Sequence, residues 1–297
     1  MKWLIIGLVI AAVIALLLIR QTGQDLKVEL QQGCPAKDCI PAIDNPKFIL
    51  AEDAEKSGQI KDEDVVFAIF HKNVARAYPQ KILNWHEIVN DEVEGEFIIV
   101  TFCPLCGTAI GFERPADTTF GVSGKLVNSN LVMYDRKTET LWQQLGGEAI
   151  AGQLLGQKLT PFPVDTLLWK DWKKLHPDTE VLSQETGYKR DYDFYPYGNY
   201  EKDNQLLFSA EGQTDDRLHR KEIVWGVVIN NQAKAYADKK LAELGTLDDV
   251  VAGVNLIIDR NKEGQVRITK EDGEQIIPDR SMWFAWVSFH PQTQLFK

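Results

Sequence analysis

VFAIFHKNVARAY (residues 66–78) and VWGVVINNQAKAY (residues 224–236) are two versions of one pattern. Five of their 13 positions are identical, and the offset of 158 residues continues without a gap to FIIV (97–100) and NLII (255–258). In both stretches apolar segments flank an Asn turn, and a short helical segment and a further strand follow. The two stretches therefore predict an internal duplication of a strand–turn–strand–helix–strand unit.

The duplication predicts the fold class and the domain limits. We expect an α+β, strand-rich domain over residues 46–297, built from two related halves at about 60–200 and 220–297. A long insertion, about residues 113–200, is expected in the first half because the second copy has no counterpart to it. A chain of 297 residues, 44% of them hydrophobic, is long enough to bury a core of that size.

The N-terminus predicts a membrane anchor. Residues 3–19, WLIIGLVIAAVIALLLI, carry no charge and reach the minimum length of a helix that spans a bilayer. No small-x-small cleavage pattern follows, so we predict an uncleaved transmembrane anchor at residues 1–20 rather than a cleaved signal peptide. Residues 21–45 predict a polar tether. The expected product is a single-pass protein of the cell membrane with the bulk of the chain outside the cytoplasm, where disulfides persist.

The charge balance limits the class of partner. The chain has 33 Lys and Arg residues against 43 Asp and Glu residues, which gives a net charge of -10, and it has no basic run. Nucleic acid attracts basic surfaces, so we expect no nucleic-acid partner. Beyond the membrane that the N-terminal helix would enter, the composition identifies no protein or small-molecule partner.

CPLCG (residues 103–107) is the best candidate for chemistry. At the 158-residue offset, Cys103 and Cys106 match the ends of NKEG (261–264), which predicts a hairpin turn. We therefore predict that both thiols lie at the tip of a β-hairpin, whereas a thioredoxin-like dithiol opens a helix. A C-P-x-C-G tip resembles the metal-binding turns of rubredoxins and zinc ribbons. Metal ligation, redox chemistry and a structural role all stay open.

A metal site at this tip needs either further ligands or a metal ion that is stable with only two ligands. The candidate ligands are residues that bind thiophilic metals: His71, His86, Met133, Cys34 and Cys39. Copper and zinc are the expected ions, and two thiolates alone suit Cu(I). Cys34 and Cys39 have a competing assignment, because two cysteines this close in an oxidising compartment most simply form a small disulfide loop.

A tyrosine-rich stretch, YKRDYDFYPYGNY (residues 188–200), contains six aromatic residues in 13. Its Pro, Gly and Asp residues predict a loop. Such a loop either packs over one end of a sheet or lines a groove for a ligand or partner. The side chains of the predicted groove are Tyr188, Arg190, Asp191, Tyr192, Tyr195 and Tyr197.

Several motifs together resemble a known family. They are LNWHEIVND (83–91), CPLCGTAIGF (103–112), SNLVMYDRKTETLW (129–142) and TGYKRDYDFYPYGNY (186–200). In these motifs the chain is similar to the family named domain of unknown function 3179, and the similarity extends over about residues 45–297. The resemblance implies a secreted or membrane-anchored prokaryotic protein and supplies no activity.

The resemblance also bears on the cysteines. It marks Cys103, Pro104, Cys106, Gly107 and Thr108 as part of the family pattern. The N-terminal cysteine pair is not part of that pattern. The resemblance therefore favours a two-thiolate site, with or without a histidine, over a four-cysteine site.

Three functions follow from these residues. The first is a membrane-anchored extracytoplasmic protein that binds copper or zinc through Cys103 and Cys106. The second is an enzyme, either a thiol–disulfide oxidoreductase or a hydrolase whose groove is the tyrosine-rich loop. The third is a protein-interaction module that uses the same loop.

Overall fold

The computed structural model describes residues 28–211 and 214–297. The predicted membrane anchor at residues 1–20 and the first part of the predicted tether lie outside these residues. Within them, none of the helices has the length and apolar character needed to cross a membrane.

Short β-strands make up most of the described chain. In chain order they are β1 (Gln31–Gln32), β2 (Phe48–Leu50), β3 (Val65–His71), β4 (Val74–Pro79), β5 (Ile88–Val93), β6 (Glu96–Cys103), β7 (Thr108–Glu113), β8 (Phe120–Val127), β9 (Asn130–Asp135), β10 (Leu141–Gln143), β11 (Ala149–Ala151), β12 (Pro161–Phe162), β13 (Asp165–Leu168), β14 (Glu180–Leu182), β15 (Ile223–Ile229), β16 (Gln232–Ala237), β17 (Thr246–Val251), β18 (Val254–Arg260), β19 (Val266–Lys270), β20 (Gln275–Ile276), β21 (Asp279–Met282) and β22 (Gln294–Phe296). The helices of the same residues are α1 (Ala51–Lys56), α2 (Gln80–His86), α3 (Trp169–Leu175), α4 (Asp238–Leu244) and α5 (Trp283–Phe289).

The strands form five sheets arranged as a five-bladed β-propeller. The strand orders are β2-β14-β4-β3-β13, β5-β6-β7-β12, β1-β8-β9-β10-β11, β21-β15-β16-β22 and β17-β18-β19-β20. In this order the sheets are referred to as the β3–β4, β5–β7, β8–β11, β15–β16 and β17–β20 blades.

The predicted α+β fold with two halves is wrong. Strands account for 41% of the structure and helices for 13%, and helices of six or seven residues are too short to form a layer against the sheets. The offset of 158 residues matches β3, β4, α2, β5, β6 and β7 with β15, β16, α4, β17, β18 and β19, so each matching stretch supplies strands to two blades.

The predicted insertion at about residues 113–200 is wrong as well. Residues 120–151 form most of the β8–β11 blade, a complete unit of the propeller. The later strand β12 joins the β5–β7 blade, and β13 and β14 join the β3–β4 blade. These residues are therefore an integral part of the fold.

The described part of the predicted tether lies against the blades. β1 pairs antiparallel with β8, and Ile43, which is 2% exposed, forms a parallel bridge with Val89 of β5. Between these two contacts, Cys34 and Cys39 are joined in a disulfide, which confirms the predicted small loop.

A buried carboxylate, Asp91, ties β4 to β5. Nη1 of Arg76 lies 2.9 Å from both Asp91 oxygens, and the hydroxyl of Tyr78 donates to Oδ2 at 2.6 Å. The backbone amide of Glu92 donates to Oδ1 at 2.8 Å. Because only 4% of the Asp91 side chain is exposed, these donors replace the water that the charge gave up on folding.

The matching stretch repeats this arrangement nearer to solvent. Asp249 lies 2.5 Å from Nζ of Lys234 and accepts from the hydroxyl of Tyr236 at 2.9 Å. The Asp249 side chain is 18% exposed, so water compensates part of its charge.

We expect Asp91→Asn to lower the free energy of unfolding by about 2–3 kcal/mol, because Arg76 loses a buried counter-charge. Asp249→Asn should lower it by about 1 kcal/mol, because the second site is more solvated. Urea denaturation of the two variants measures both values. Equal losses would contradict the assignment of the first effect to burial.

Candidate functional site

The hairpin predicted for the CPLCG sequence is present. β6 ends at Cys103, β7 begins at Thr108, and the two strands pair antiparallel, with the amide of Cys106 donating to the Cys103 carbonyl at 3.2 Å. Gly107 completes the turn with φ of 61°, in the left-handed region that favours glycine. A Cβ atom at Gly107 would also lie only 3.2 Å from Cγ of Met282. The thiols therefore stand on a rigid turn between two strands.

The tip of this hairpin is fixed to another blade. The amide of Met282 in β21 donates to the carbonyl of Cys106 at 2.8 Å. Nη1 of Arg280 donates to the carbonyl of Gly107 at 2.8 Å. The CPLCG turn thus joins the β5–β7 blade to the β15–β16 blade.

Cys103 and Cys106 are free thiols and are buried, with 1% and 0% exposure. Their sulfur atoms lie 3.7 Å and 3.2 Å from the carbonyl oxygen of Ser129, in the turn between β8 and β9. Burial raises the pKa of Cys103, but hydrogen bonds from the Cys106 thiol and from the amides of Cys106, Leu131 and Leu105 more than offset this, and the pKa is lowered. Burial and the negative charge of Cys103 raise the pKa of Cys106 well above its ordinary value.

A buried polar network holds the turn of Ser129 against the hairpin. Oε1 of Gln144 accepts from Oγ1 of Thr108 at 2.6 Å and from Nδ2 of Asn130 at 2.9 Å. Nε2 of Gln144 donates to Oγ1 of Thr101 at 2.9 Å. Because the network links both sides of the hairpin base to the next blade, the distance between the thiols and the Ser129 carbonyl is fixed.

Glu87 is the residue of this site that the sequence reasoning missed. It follows α2 with φ of 55°, and it is 6% exposed. Burial and the charge of Cys103 raise the pKa of its carboxyl well above the ordinary value, and the Tyr197 hydroxyl lies 3.4 Å from Oε1. At the 158-residue offset Glu87 matches Gly245, and glycine suits this backbone conformation. A glutamate where the other stretch has glycine is the sequence signal that could have identified Glu87.

The tyrosine-rich loop covers the thiols. The hydroxyl of Tyr200 donates to the carbonyl of Leu105, inside the CPLCG turn, at 2.8 Å. Lys221, itself 7% exposed, donates to the carbonyl of Tyr200, and its ammonium lies 3.5 Å from the centre of that ring. The structure therefore brings together the dithiol and the loop, which the sequence treated as separate sites.

Of the other predicted ligands, Cys34, Cys39 and His71 have partners elsewhere, whereas Met133 shares a core cluster with the thiols. Cys34 and Cys39 are held in their disulfide. Nε2 of His71 lies 2.6 Å from a carboxylate oxygen of Glu96. Met133 is buried in the same core cluster as the two thiols.

His86 has both ring nitrogens occupied. Nδ1 lies 2.7 Å from the carbonyl oxygen of Pro41, and Nε2 lies 2.8 Å from the hydroxyl of Tyr192. Among residues 28–211 and 214–297, no group of three or more His, Cys, Asp or Glu side chains is arranged to hold a metal ion.

The predicted groove residues fall into two sets. Tyr192 and Tyr197 point inward, toward His86 and Glu87. Tyr188 is 44% exposed, Asp191 is exposed, and the guanidinium of Arg190 lies 5.7 Å from the ring centre of Trp85. A cavity of about 230 Å³ is lined by Tyr192 and Tyr195 of the loop together with Gln80, Lys81 and Asn84 of α2.

We expect stability to fall between pH 6.5 and pH 4, because burial lowers the pKa of His86 to about 4, and the unfolded chain then binds a proton that the folded chain does not. His86→Gln should remove about 2 kcal/mol of this pH dependence. The exposed His219, changed to Gln, is the matched control and should leave the profile unchanged. Urea denaturation at about pH 7 and about pH 4.5 makes the comparison, and an unaltered slope in His86→Gln would contradict the assignment.

Comparison with known proteins identifies the family of the chain. A family model described as "Protein of unknown function (DUF3179)" matches residues 37–276, well over half of the chain. No curated protein and no solved structure matches significantly. The match agrees with the resemblance of the motifs around the dithiol and the tyrosine-rich loop, and the chain belongs to the DUF3179 family.

Proposed function

We propose that Cys103 and Cys106 are a redox-active dithiol that exchanges electrons with a disulfide of another molecule. One observation carries the proposal: two free, buried thiols stand on a fixed turn, with their sulfur atoms 3.7 Å and 3.2 Å from the same carbonyl oxygen of Ser129, beside the buried carboxyl of Glu87. In such a pair, the thiol that ionises more easily acts as the nucleophile, and the other acts as the resolving thiol.

In the proposed reaction, the Cys103 thiolate attacks the substrate disulfide, forms a mixed disulfide and releases one substrate sulfur, which takes up a proton. Cys106 then gives up its proton and attacks the Cys103 sulfur. The products are the Cys103–Cys106 disulfide and the second substrate thiol, so two electrons have passed to the substrate.

Glu87 is proposed to accept the proton of Cys106. While Cys103 is a thiolate, its charge keeps the pKa of the Glu87 carboxyl high. Formation of the mixed disulfide removes this charge, so the carboxyl ionises more easily and gives its proton to the released substrate sulfur. The resulting carboxylate then takes the proton of Cys106, and the second substrate sulfur takes up a proton from solvent as it leaves.

Oxidation of the reduced full chain in a glutathione redox buffer should consume Cys103 and Cys106 together in one two-electron transition, while the Cys34–Cys39 disulfide is unaffected. Cys106→Ser should accumulate a mixed disulfide at Cys103. Cys103→Ser should leave Cys106 slow to react, because burial, the largest cause of its raised pKa, remains in the variant. Thiol labelling and mass spectrometry give the counts, and identical behaviour of the two serine variants would contradict the assigned roles.

Access to the thiols is proposed to require movement of the tyrosine-rich loop, and Tyr200→Phe tests this. The variant loses the hydrogen bond to Leu105, worth about 1 kcal/mol, so alkylation of the native thiols should accelerate about fivefold. Tyr188→Phe is the matched control, because Tyr188 is exposed and its hydroxyl makes no hydrogen bond to the CPLCG turn. Equal alkylation rates in Tyr200→Phe and the wild type would show that the thiols are reached by another opening.

Copper(I) binding by the same two thiolates is the second candidate. Met133, a soft thioether, lies in the same core cluster as both cysteines and supports it. Elemental mass spectrometry on chain purified anaerobically without chelator separates the candidates. About one copper or zinc ion per chain, lost in the Cys103→Ser/Cys106→Ser variant, would replace the redox proposal with a metal site.

We also propose that the described body lies outside the cytoplasm, held by an anchor at residues 1–20. The disulfide between Cys34 and Cys39 supports this location, because disulfides rarely persist in the cytoplasm.

A further inference from the structure

The two matching stretches differ in whether the edge strand of one sheet is covered by another segment. β5 and β17 are each the last strand of their sheets, and the offset of 158 residues matches them position by position. The segment that precedes β2 covers β5, whereas among the described residues no segment pairs with the free side of β17.

The covered edge shows what this position binds. The amide of Ile43 donates to the carbonyl of Ile88 at 2.9 Å, and the amide of Asn90 donates to the carbonyl of Ile43 at 2.8 Å. The side chain of Asn90 then donates to Oδ1 of Asp44 at 2.8 Å. An extended segment thus adds to β5 as a short parallel strand, and its next residue pairs with the side chain at position 90.

The open edge keeps the same backbone orientation. Thr246 and Asp248 match Ile88 and Asn90, the residues that bond the covering segment at the other edge. The amide of Val250 donates to Oδ1 of Asp249 at 2.8 Å, just as the amide of Glu92 donates to Asp91 at the covered edge. The carbonyl of Thr246 and the amide of Asp248 therefore face outward, available to an added strand.

Apolar side chains are exposed beside β17, whereas the matching side chain beside β5 is buried. Ile257 is 44% exposed, whereas its match Ile99 is fully buried. Val250 is 55% exposed and lines the same surface hollow as Ile257. Large apolar side chains exposed together beside an unpaired strand mark an interaction surface.

Charge identifies the occupant. Asn90 donates to an acidic residue of its covering segment, but its match Asp248 can only accept, and Glu271 lines the same hollow of about 340 Å³. A second copy of this acidic chain would bring carboxylates against carboxylates. The charges instead fit a basic residue in the covering segment.

We propose that β17 binds an extended, basic peptide segment of a protein partner by adding it as a parallel strand. The segment carries an aliphatic residue where Ile43 lies at the covered edge, and Lys or Arg where Asp44 lies. This surface is independent of the dithiol, so the failure of either proposal leaves the other standing.

Two fluorescent peptides test the proposal on the full chain in detergent. IPAIDNP copies residues 40–46, and IPAIKNP replaces only the residue that matches Asp44. By fluorescence anisotropy we expect IPAIKNP to bind about fivefold more tightly, and Asp248→Lys to reverse the preference. Glu113→Lys, the same charge change at an exposed residue of another blade, should leave the preference unchanged.

Methylation of the amide nitrogen at the second isoleucine of IPAIKNP should abolish most of its binding, because that N–H is the donor to Thr246. Equal binding of the two peptides, or binding insensitive to methylation and to Asp248→Lys, would overturn the proposal. So would a dimer in analytical ultracentrifugation that Val250→Asp dissociates, because the surface would then belong to a second copy.

Discussion

A β-sheet with two apolar faces has to be covered on both sides, and this constraint organises the molecule. All residues of β9 are buried, and β6 is buried from Ile98 to Cys103, so neither strand has a solvent-facing side there. The β8–β11 blade supplies the cover for the β5–β7 blade, and Asn90 joins the two by exchanging hydrogen bonds with the backbone of Phe120. The dithiol lies within this packing, because its turn extends from β6 toward the turn of Ser129 and toward β21. Its burial is therefore a consequence of how the blades meet.

Burial also sets the chemistry that the dithiol can perform. Inside the core, a thiolate is stable only where hydrogen bonds replace water, and hydrogen bonding of this kind lowers the pKa of Cys103 despite its burial. A second negative charge in the same volume is costly, so burial and the charge of Cys103 raise the pKa of both Cys106 and Glu87. The three groups are therefore coupled, and a change at one sulfur alters the acidity of the others. A solvated pair on the same hairpin would titrate almost independently.

The sequence predicted the local features and missed the long-range ones, for physical reasons. The Asn turns, the CPLCG hairpin and the disulfide loop depend on neighbours in the chain, and all three are present. The α+β class was wrong because strands buried on both faces lack alternation, and α2 and α4 are only two turns long. The predicted insertion at about residues 113–200 includes the β8–β11 blade, because residues 120–151 have no copy elsewhere in the chain. Contacts of the thiols with Ser129 and Met282 join distant segments, and no local pattern encodes them.

The matching stretches separate scaffold from chemistry. Both keep the Asp–Tyr–cation arrangement, the short helix and the left-handed residue after it, so these features belong to the scaffold. The first stretch alone has Cys103 and Cys106 at its hairpin tip and Glu87 at the left-handed position, where the second has a plain turn and Gly245. A buried glutamate in a conformation that glycine adopts freely costs stability twice, through burial and through the backbone. A glutamate at a position that disfavours it therefore supports the proposal that Glu87 acts on the neighbouring thiols.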